Sequence, residues 1–456
     1  MTDLAVLSRC TASEIGRALA AGEANPVALA EHLLQKIEAA SDSNVFLRIT
    51  RERAIAEARA SEARLTAGRP LSALDGVPLA WKDLFDIAGE VTTAASDIYR
   101  DAPPAQRDAP CVANVTAAGM VALGKVNLTE FAYSGIGLNP HFGTPANPHS
   151  PSVPRAPGGS SSGSGVSVAA GLAPCAIGTD TGGSVRIPSS FNGLVGYKSS
   201  EGWIDGAGVF ALSRTLDTVG PLARSVEDCV SLDAALRGLR RSPVQHRSAE
   251  GLSLFVPETI VLDDLDPAVA ENFEASLRTL EAAGVRVTRG PLDIFSKAAE
   301  LAAEFGSITA ADAYVEHRAL VESNQVSRID RRVVARIMGG KGMSAADMIS
   351  LQRARADLIR ELAARMGDSL IAMPTTAITA PEIAPLEADD DLFHRINLKA
   401  LRNTMLGNFL NLPGLALPNG CDAEGMPTSF LLNGLAGTDE RLLGYGLDVE
   451  RVFNGG

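Results

Sequence analysis

An α/β fold, with one large β-sheet covered by helices on both faces, is what the hydrophobic patterning of this chain predicts. Two observations carry that expectation. Short apolar runs ending in glycine, proline or aspartate recur from residue 76 almost to the C-terminus, and helical stretches of ten or more residues stand between them. Taken in order, Thr11-Ala-Ser-Glu14 has the capping-box pattern, and Asn25-Pro26 offers an N-cap followed by proline at the first helical position. Leu29, Leu33 and Ile37 then recur on one helical face, and an alanine-rich run over 51–65 stops at Gly68. These segments predict an α-helical N-terminal layer. From Gly76 the runs GVPLAWKD, MVALGKVN and LAPCAIGTDTGG read as buried strands. In the second half, strands are expected at 252–256, 285–287, 370–373 and 429–432, with helices near 266–283, 345–366 and 439–453. No fixed-period repeat and no long linker divides the chain. The polar, basic stretch 237–248 is a connector between two halves, and a single domain over 1–456 is expected.

Composition narrows the function classes. Of 456 residues, 46% are hydrophobic and 21% charged, too apolar for disorder. A net charge of −13 repels phosphate backbones, so no direct nucleic-acid partner is expected. Five scattered cysteines without a CxxC pair argue against a disulfide framework or a zinc site and fit a reducing compartment. MTDLAVLSRC lacks a basic segment followed by an apolar one, so the expected location is cytoplasmic. The longest uncharged stretch, 156–179, is rich in glycine and serine at its start and carries Pro157 and Pro174, so it does not read as a membrane span. No membrane partner is expected.

Residues 157–165, PGGSSSGSG, have the composition of a flexible linker, but they run straight into the small-residue, helix-compatible SVAAGLAP and the apolar CAIGTDTGGSVRIP. Phosphate cradling fares poorly: no lysine follows the loop in a GxxxxGK[ST] pattern, and GxGxxG breaks at Val168. No lysine follows a serine at SxxK spacing, and the scattered histidines form no HExxH. His141 and His149 read as loop-packing residues. What remains is a lysine in an apolar context (Lys82), a serine in a glycine loop (Ser160) and a serine after two glycines (Ser184).

These three residues sit in GVPLAWKDLFDIAG, PGGSSSGS and GTDTGGSVRIP, in that order, with 78 residues from Lys82 to Ser160 and 24 from Ser160 to Ser184. The order and spacing resemble the amidase signature family of serine hydrolases. GKVNLTEFAYSG, NPHFGTPANP, LDTVGPLARSVED and FLNLPGLALPNG extend the resemblance over most of the chain. It implies a large mixed β-sheet covered by helices on both faces, with the catalytic signature core at about 70–230. It also implies cleavage of a carbon–nitrogen bond without metal or cofactor. Carried over residue by residue, Lys82 is the base, Ser160 a relay held by a cis peptide, and Ser184 the acylated nucleophile. Two departures are visible: Trp81 replaces a commonly aliphatic residue, and Ser162 stands where glycine is frequent. Trp81 reads as a core residue.

The chemistry is intelligible without the resemblance. A serine hydroxyl needs a base, and lysine serves only when neutral, which desolvation among Val77, Leu79, Trp81, Leu84 and Phe85 favours. Asp83 and Asp86 would oppose this if they faced the lysine. Thr181, Gly182 and Gly183 are expected to converge backbone N–H groups into an oxyanion hole; a tight turn is the plainer reading of the two glycines. Asp180 and Arg186 match family positions and are expected to pair and brace that turn. Tyr133, Ser134 and Gly135 match a family segment that lines the acyl pocket, although loop packing alone would also account for them. The remaining walls are expected from 300–340 and 380–410.

The leading expectation is a free-standing amidase acting on a small-molecule amide, releasing ammonia or an amine and a carboxylate. The A subunit of a tRNA-dependent amidotransferase shares the motifs, with glutamine as substrate; Arg355 is the arginine that would match its carboxylate contact. Urea-like substrates such as carboxybiuret or allophanate form a third alternative. A non-catalytic member of the family would be expected to have lost Lys82 or Ser184, and both are present. A homodimer is the base-rate expectation for oligomeric state.

Overall fold

In the computed structural model, which describes residues 3–455, eleven strands form one mixed sheet. In chain order they are β1 (Phe46–Ile49), β2 (Pro78–Lys82), β3 (Val121–Val126), β4 (Ala176–Asp180), β5 (Val195–Lys198), β6 (Thr218–Ala223), β7 (Ser253–Pro257), β8 (Arg286–Gly290), β9 (Leu370–Pro374), β10 (Gly414–Cys421) and β11 (Pro427–Asn433). Across the sheet the order is β1-β3-β2-β4-β6-β5-β10-β11-β9-β7-β8. The pairs β2–β3, β2–β4, β7–β8 and β7–β9 are parallel and the others antiparallel. Successive side chains of a strand face opposite sides, and every residue of β2, β3, β4, β6 and β11 is buried. Both faces of the central sheet are therefore covered, which is why these segments read as continuous apolar runs instead of alternating ones.

The N-terminal helices form where the capping chemistry places them. Thr11 and Glu14 make both bonds of the capping box, and the Asn25 side chain accepts from the Ala28 N–H with Pro26 at the first helical position. The helices Pro267–Ala282, Ala345–Met366 and Asp439–Phe453 fall where the periodicity puts them. The connector 237–248 does not separate two sheets, because β10 joins β5 to β11 and carries the first-half strands into the second half. Among the described residues, no helix is long and apolar enough to cross a membrane. Trp81 is buried against Phe85, with ring centroids 5.1 Å apart.

The parallel neighbours β2 and β4 end on the same side of the sheet, with Ala80 opposite Ala176 and Trp81 opposite Ile177. Clefts in open α/β sheets form beyond such carboxyl ends. The helix Ser162–Ala169 packs against β2 and β4, and the helix Arg186–Phe191 follows the turn after β4.

Candidate active site

Lys82 is the last residue of β2 and has no solvent exposure. Its Nζ donates to Ser160 Oγ at 2.7 Å and to Thr179 Oγ1 at 2.8 Å. Neither nearby aspartate takes it: Asp83 pairs with Lys125 at 2.6 Å and accepts from Thr93, and Asp86 accepts from Thr92 Oγ1 at 2.8 Å. Burial pushes the Lys82 ammonium down to about 7, with the charges of Asp217 and Asp180 opposing. A lysine so placed is substantially neutral at physiological pH and can accept a proton from a hydroxyl.

Ser160 lies in the loop before the Ser162–Ala169 helix, and the Gly159–Ser160 peptide is cis, the geometry that the family resemblance implies for this residue. Its carbonyl accepts from the N–H groups of Thr129 and Ser162, at 3.0 and 2.9 Å. The next residue, Ser161, donates its N–H to the Ser184 carbonyl at 3.3 Å, which ties the two serine loops together.

The turn Thr181-Gly182-Gly183-Ser184 is built around Asp180. That fully buried carboxylate accepts from Arg186 Nε at 3.0 Å and Nη2 at 2.9 Å, from Asn408 Nδ2 at 2.9 Å, and from the N–H groups of Gly183 and Val185 at 2.8 and 3.1 Å. Burial alone would raise its pKa, but Arg186 and these donors hold it far below the usual carboxylate range. Gly183 has φ +135°, and a Cβ there would come within 2.2 Å of Thr404 Oγ1, so no other residue fits without displacing the helix beyond. Of the expected donors Thr181, Gly182 and Gly183, only Gly183 is excluded, because its N–H is committed to Asp180; the Thr181 N–H donates to no other group among the described residues. The N–H groups of Gly182 and Ser184 donate to no other group among the described residues. Thr181 donates its hydroxyl to Asp217 at 2.5 Å, and Asp217 also accepts from the N–H groups of Leu212 and Ser213. Burial pushes Asp217 up to about 6, against the pull of these donors and of Lys82.

Ser184 opens into a narrow cleft of about 50 Å³, far smaller than the roughly 300–1,000 Å³ of a drug-sized pocket. Tyr133 and Ser134 line it, whereas Gly135 stands behind it. The Gly135 N–H donates to Asn397 Oδ1 at 2.8 Å, and its carbonyl accepts from Gly159 N at 2.8 Å. Both intervals expected to supply walls do so: Ser307, Thr309 and Arg336 from the first, Leu401 and Met405 from the second. Arg355 is not in the cleft, because its guanidinium pairs with Glu201 and donates to the Phe409 carbonyl at 2.6 Å. Among the described residues, no cluster of three His, Cys, Asp or Glu side chains is placed to hold a metal ion.

Sequence reasoning missed Thr179, Asp217 and Arg336. The first two lie inside quoted motifs, GTDTGGS and LDTVGPLAR, where a search for hydroxyl and carboxylate partners of the lysine would have found them. Arg336, in RRVVARIM, carries no local signal.

A mixed α/β sheet with a cleft at its strand ends, where a buried lysine is bonded to a serine, is the architecture for which the family can now be given. The chain belongs to the amidase family, whose model matches residues 28–443. It is 36% identical over 423 residues to a 2-amino-5-chloromuconic acid deaminase of Comamonas testosteroni, covering 89% of this chain and 87% of that one. It is 31% identical over 485 residues to the A subunit of a glutamyl-tRNA(Gln) amidotransferase from Ralstonia nicotianae, covering 96% of each. A crystal structure of an amidase superposes with a TM-score of 0.85 at 29% identity, over 97% of this chain and 99% of that one.

Proposed function

We propose that this amidase cleaves the carbon–nitrogen bond of a small-molecule amide through an acyl-enzyme on Ser184. The observation that carries the reading is Lys82: buried, without an acidic partner, and 2.7 Å from Ser160 Oγ. Ser184 Oγ attacks the amide carbon, its proton passes to Ser160, and the Ser160 proton passes to Lys82 Nζ. The carbonyl oxygen, now an anion, takes the N–H groups of Gly182 and Ser184, each worth about 2.7–4 kcal/mol in such transition states. Collapse of the tetrahedral intermediate breaks the carbon–nitrogen bond, and the leaving nitrogen takes a proton back through Ser160 from Lys82. Water then attacks the ester with the same relay as base, and the carboxylate leaves. Thr179 keeps Nζ aimed at Ser160, and Asp217 and Asp180 favour the transient ammonium electrostatically. Five unpaired cysteines support a reducing, cytoplasmic setting.

The deaminase likeness favours a free-standing enzyme on a small substrate. Likeness to the amidotransferase component over 96% of both chains supports a second reading, glutamine hydrolysis for a partner. Ammonia release by the purified chain separates them, using simple amides, biuret-type compounds and glutamine, with Ser184→Ala as control. The expected result is turnover of a non-glutamine amide that disappears in the variant. Glutamine hydrolysis only on addition of a partner protein would favour the second reading, and turnover surviving Ser184→Ala would overturn the acyl-enzyme.

A further inference from the structure

Three neighbouring strands place Lys82, Thr179 and Asp217 at one end of the sheet. Lys82 closes β2, Thr179 and Asp180 close the adjacent β4, and β6 runs back from that end with Thr218 opposite Asp180. Asp217 immediately precedes β6. It lines a pocket of about 280 Å³ together with Thr179, which accepts from Lys82 Nζ, and Ser184 is not among the residues of that pocket. Asp217 therefore stands behind the base, away from the substrate cleft. Of the two acids whose charges favour the Lys82 ammonium, Asp180 is largely cancelled by two N–H groups of Arg186. Asp83, next to the lysine in sequence, is likewise paired with Lys125. Asp217 accepts only from neutral groups: the Thr181 hydroxyl at 2.5 Å and the N–H groups of Leu212 and Ser213 at 2.9 and 3.1 Å. Among the described residues it pairs with no cation. Arg214, in its own turn, pairs with Glu316 of the helix Ile308–Val321, and Asp312 of that helix accepts from Ser213 Oγ and the Thr215 N–H.

Resting on the reading of Ser184 as nucleophile and Lys82 as base, we infer that Asp217 is the counter-ion of Lys82, a positioning residue that touches no substrate atom and whose charge holds the ammonium formed at each proton transfer. A carboxylate without a cation and a buried lysine without a bonded carboxylate complete each other across Thr179. Burial pushes both towards neutrality, Lys82 down to about 7 and Asp217 up to about 6, and their mutual attraction opposes this in each. Thr181 and Leu212, which hold the carboxylate in place, are both walls of the Ser184 cleft. The counter-charge is thereby fixed to the turn that carries the oxyanion donors.

The test follows sulfonylation by methanesulfonyl fluoride, a probe small enough for the cleft, from pH 5 to 9 by mass spectrometry. The Ser184 Oγ–S bond forms as the S–F bond breaks; fluoride leaves, and the serine proton passes through Ser160 to Lys82. Wild type, Asp217→Asn, Asp217→Glu and Ser184→Ala are compared, with urea midpoints to check folding. Asn suits the site, because its Oδ1 keeps the two N–H groups while its Nδ2 donates to the Thr181 hydroxyl, which turns from donor to acceptor. In Asp217→Asn the acid limb of the rate is expected to move roughly one pH unit lower. The plateau should fall by up to roughly tenfold, since the base is then weaker by that unit. Asp217→Glu keeps the charge and is expected to keep the wild-type limb. A purely structural role for Asp217 would lower the plateau of the Asn variant and leave its limb unmoved, which would overturn the inference. Should the Asn variant not fold, the Glu variant decides: a limb displaced by a full unit with the charge retained would overturn it equally. Wild type left unlabelled, or labelling that survives Ser184→Ala, would instead overturn the reading beneath it.

Discussion

At the scale of single residues, the proposed role of Lys82 as base would make it set the pH at which the enzyme works. Its ammonium is pushed down to about 7 by burial, and only the neutral amine can accept the Ser160 proton, so kcat/KM is expected to rise with pH through about 7. A pH–rate profile flat from pH 6 to 8 would sink this role. Lys82→Arg, charged throughout, is expected to lose roughly 10²–10⁴-fold in kcat, the usual worth of a general base. The sign for stability follows from the same depression. The unfolded chain holds this proton up to 10.5 and the folded chain only to about 7, so between those limits the unfolded state binds more protons and this group's contribution to stability rises with pH. Lys82, Ser160 and Ser184 are legible in the sequence because each sits in a glycine- or proline-marked motif that local backbone geometry demands. Arg336 is not, because what distinguishes it is a buried Nε without a partner among the described residues, and that is a property of the packed structure alone.

At the scale of elements, the site depends on a contact between the turn after β4 and the helix Asp390–Phe409. Asp180 accepts from Arg186 and the turn amides on one side and from Asn408 on the other, and Thr404 Oγ1 donates to the Gly182 carbonyl at 2.7 Å. Asp180→Asn would direct two N–H groups into this ring of donors and leave Arg186 buried without its counter-ion. We expect it to cost about 3–5 kcal/mol, the usual penalty for breaking a buried pair. Urea unfolding measures it, and a midpoint equal to wild type would refute the brace. Helices with explicit caps are readable from the sequence to within a residue or two, as at Thr11 and Asn25. Strands β5, β6 and β10 are not, because VGYK, TVGPLA and GLALPNGC contain glycine, proline or both, residues that ordinarily mark turns. Each is a strand through the neighbours that pair with it. Strand β1, a four-residue edge strand, is too short to show a period.

At the scale of the whole molecule, the seam between β5 and β10 decides whether the chain unfolds as one unit. Leu415 lies opposite Tyr197 across it, and the two halves are also joined by Asp439, at the start of the C-terminal helix. The buried Asp439 carboxylate accepts from Tyr197 Oη at 2.6 Å, from the Ser200 N–H at 2.8 Å and from Ser200 Oγ at 2.5 Å. Both tryptophans lie on the N-terminal side of the seam: Trp81 in β2, and Trp203 just after β5 with its indole donating to Asp233 at 3.0 Å. Tryptophan fluorescence therefore reports one side only, while far-UV circular dichroism reports both. With the sheet continuous across the seam, the two signals are expected to change together in denaturant, the signature of a single cooperative transition. Asp439→Ala leaves the Tyr197 and Ser200 donors buried without an acceptor, and at about 1–3 kcal/mol for each orphaned group it should shift both transitions to lower denaturant by the same amount. If dichroism were lost first while tryptophan emission held, the halves would be separate folding units that merely share a sheet edge.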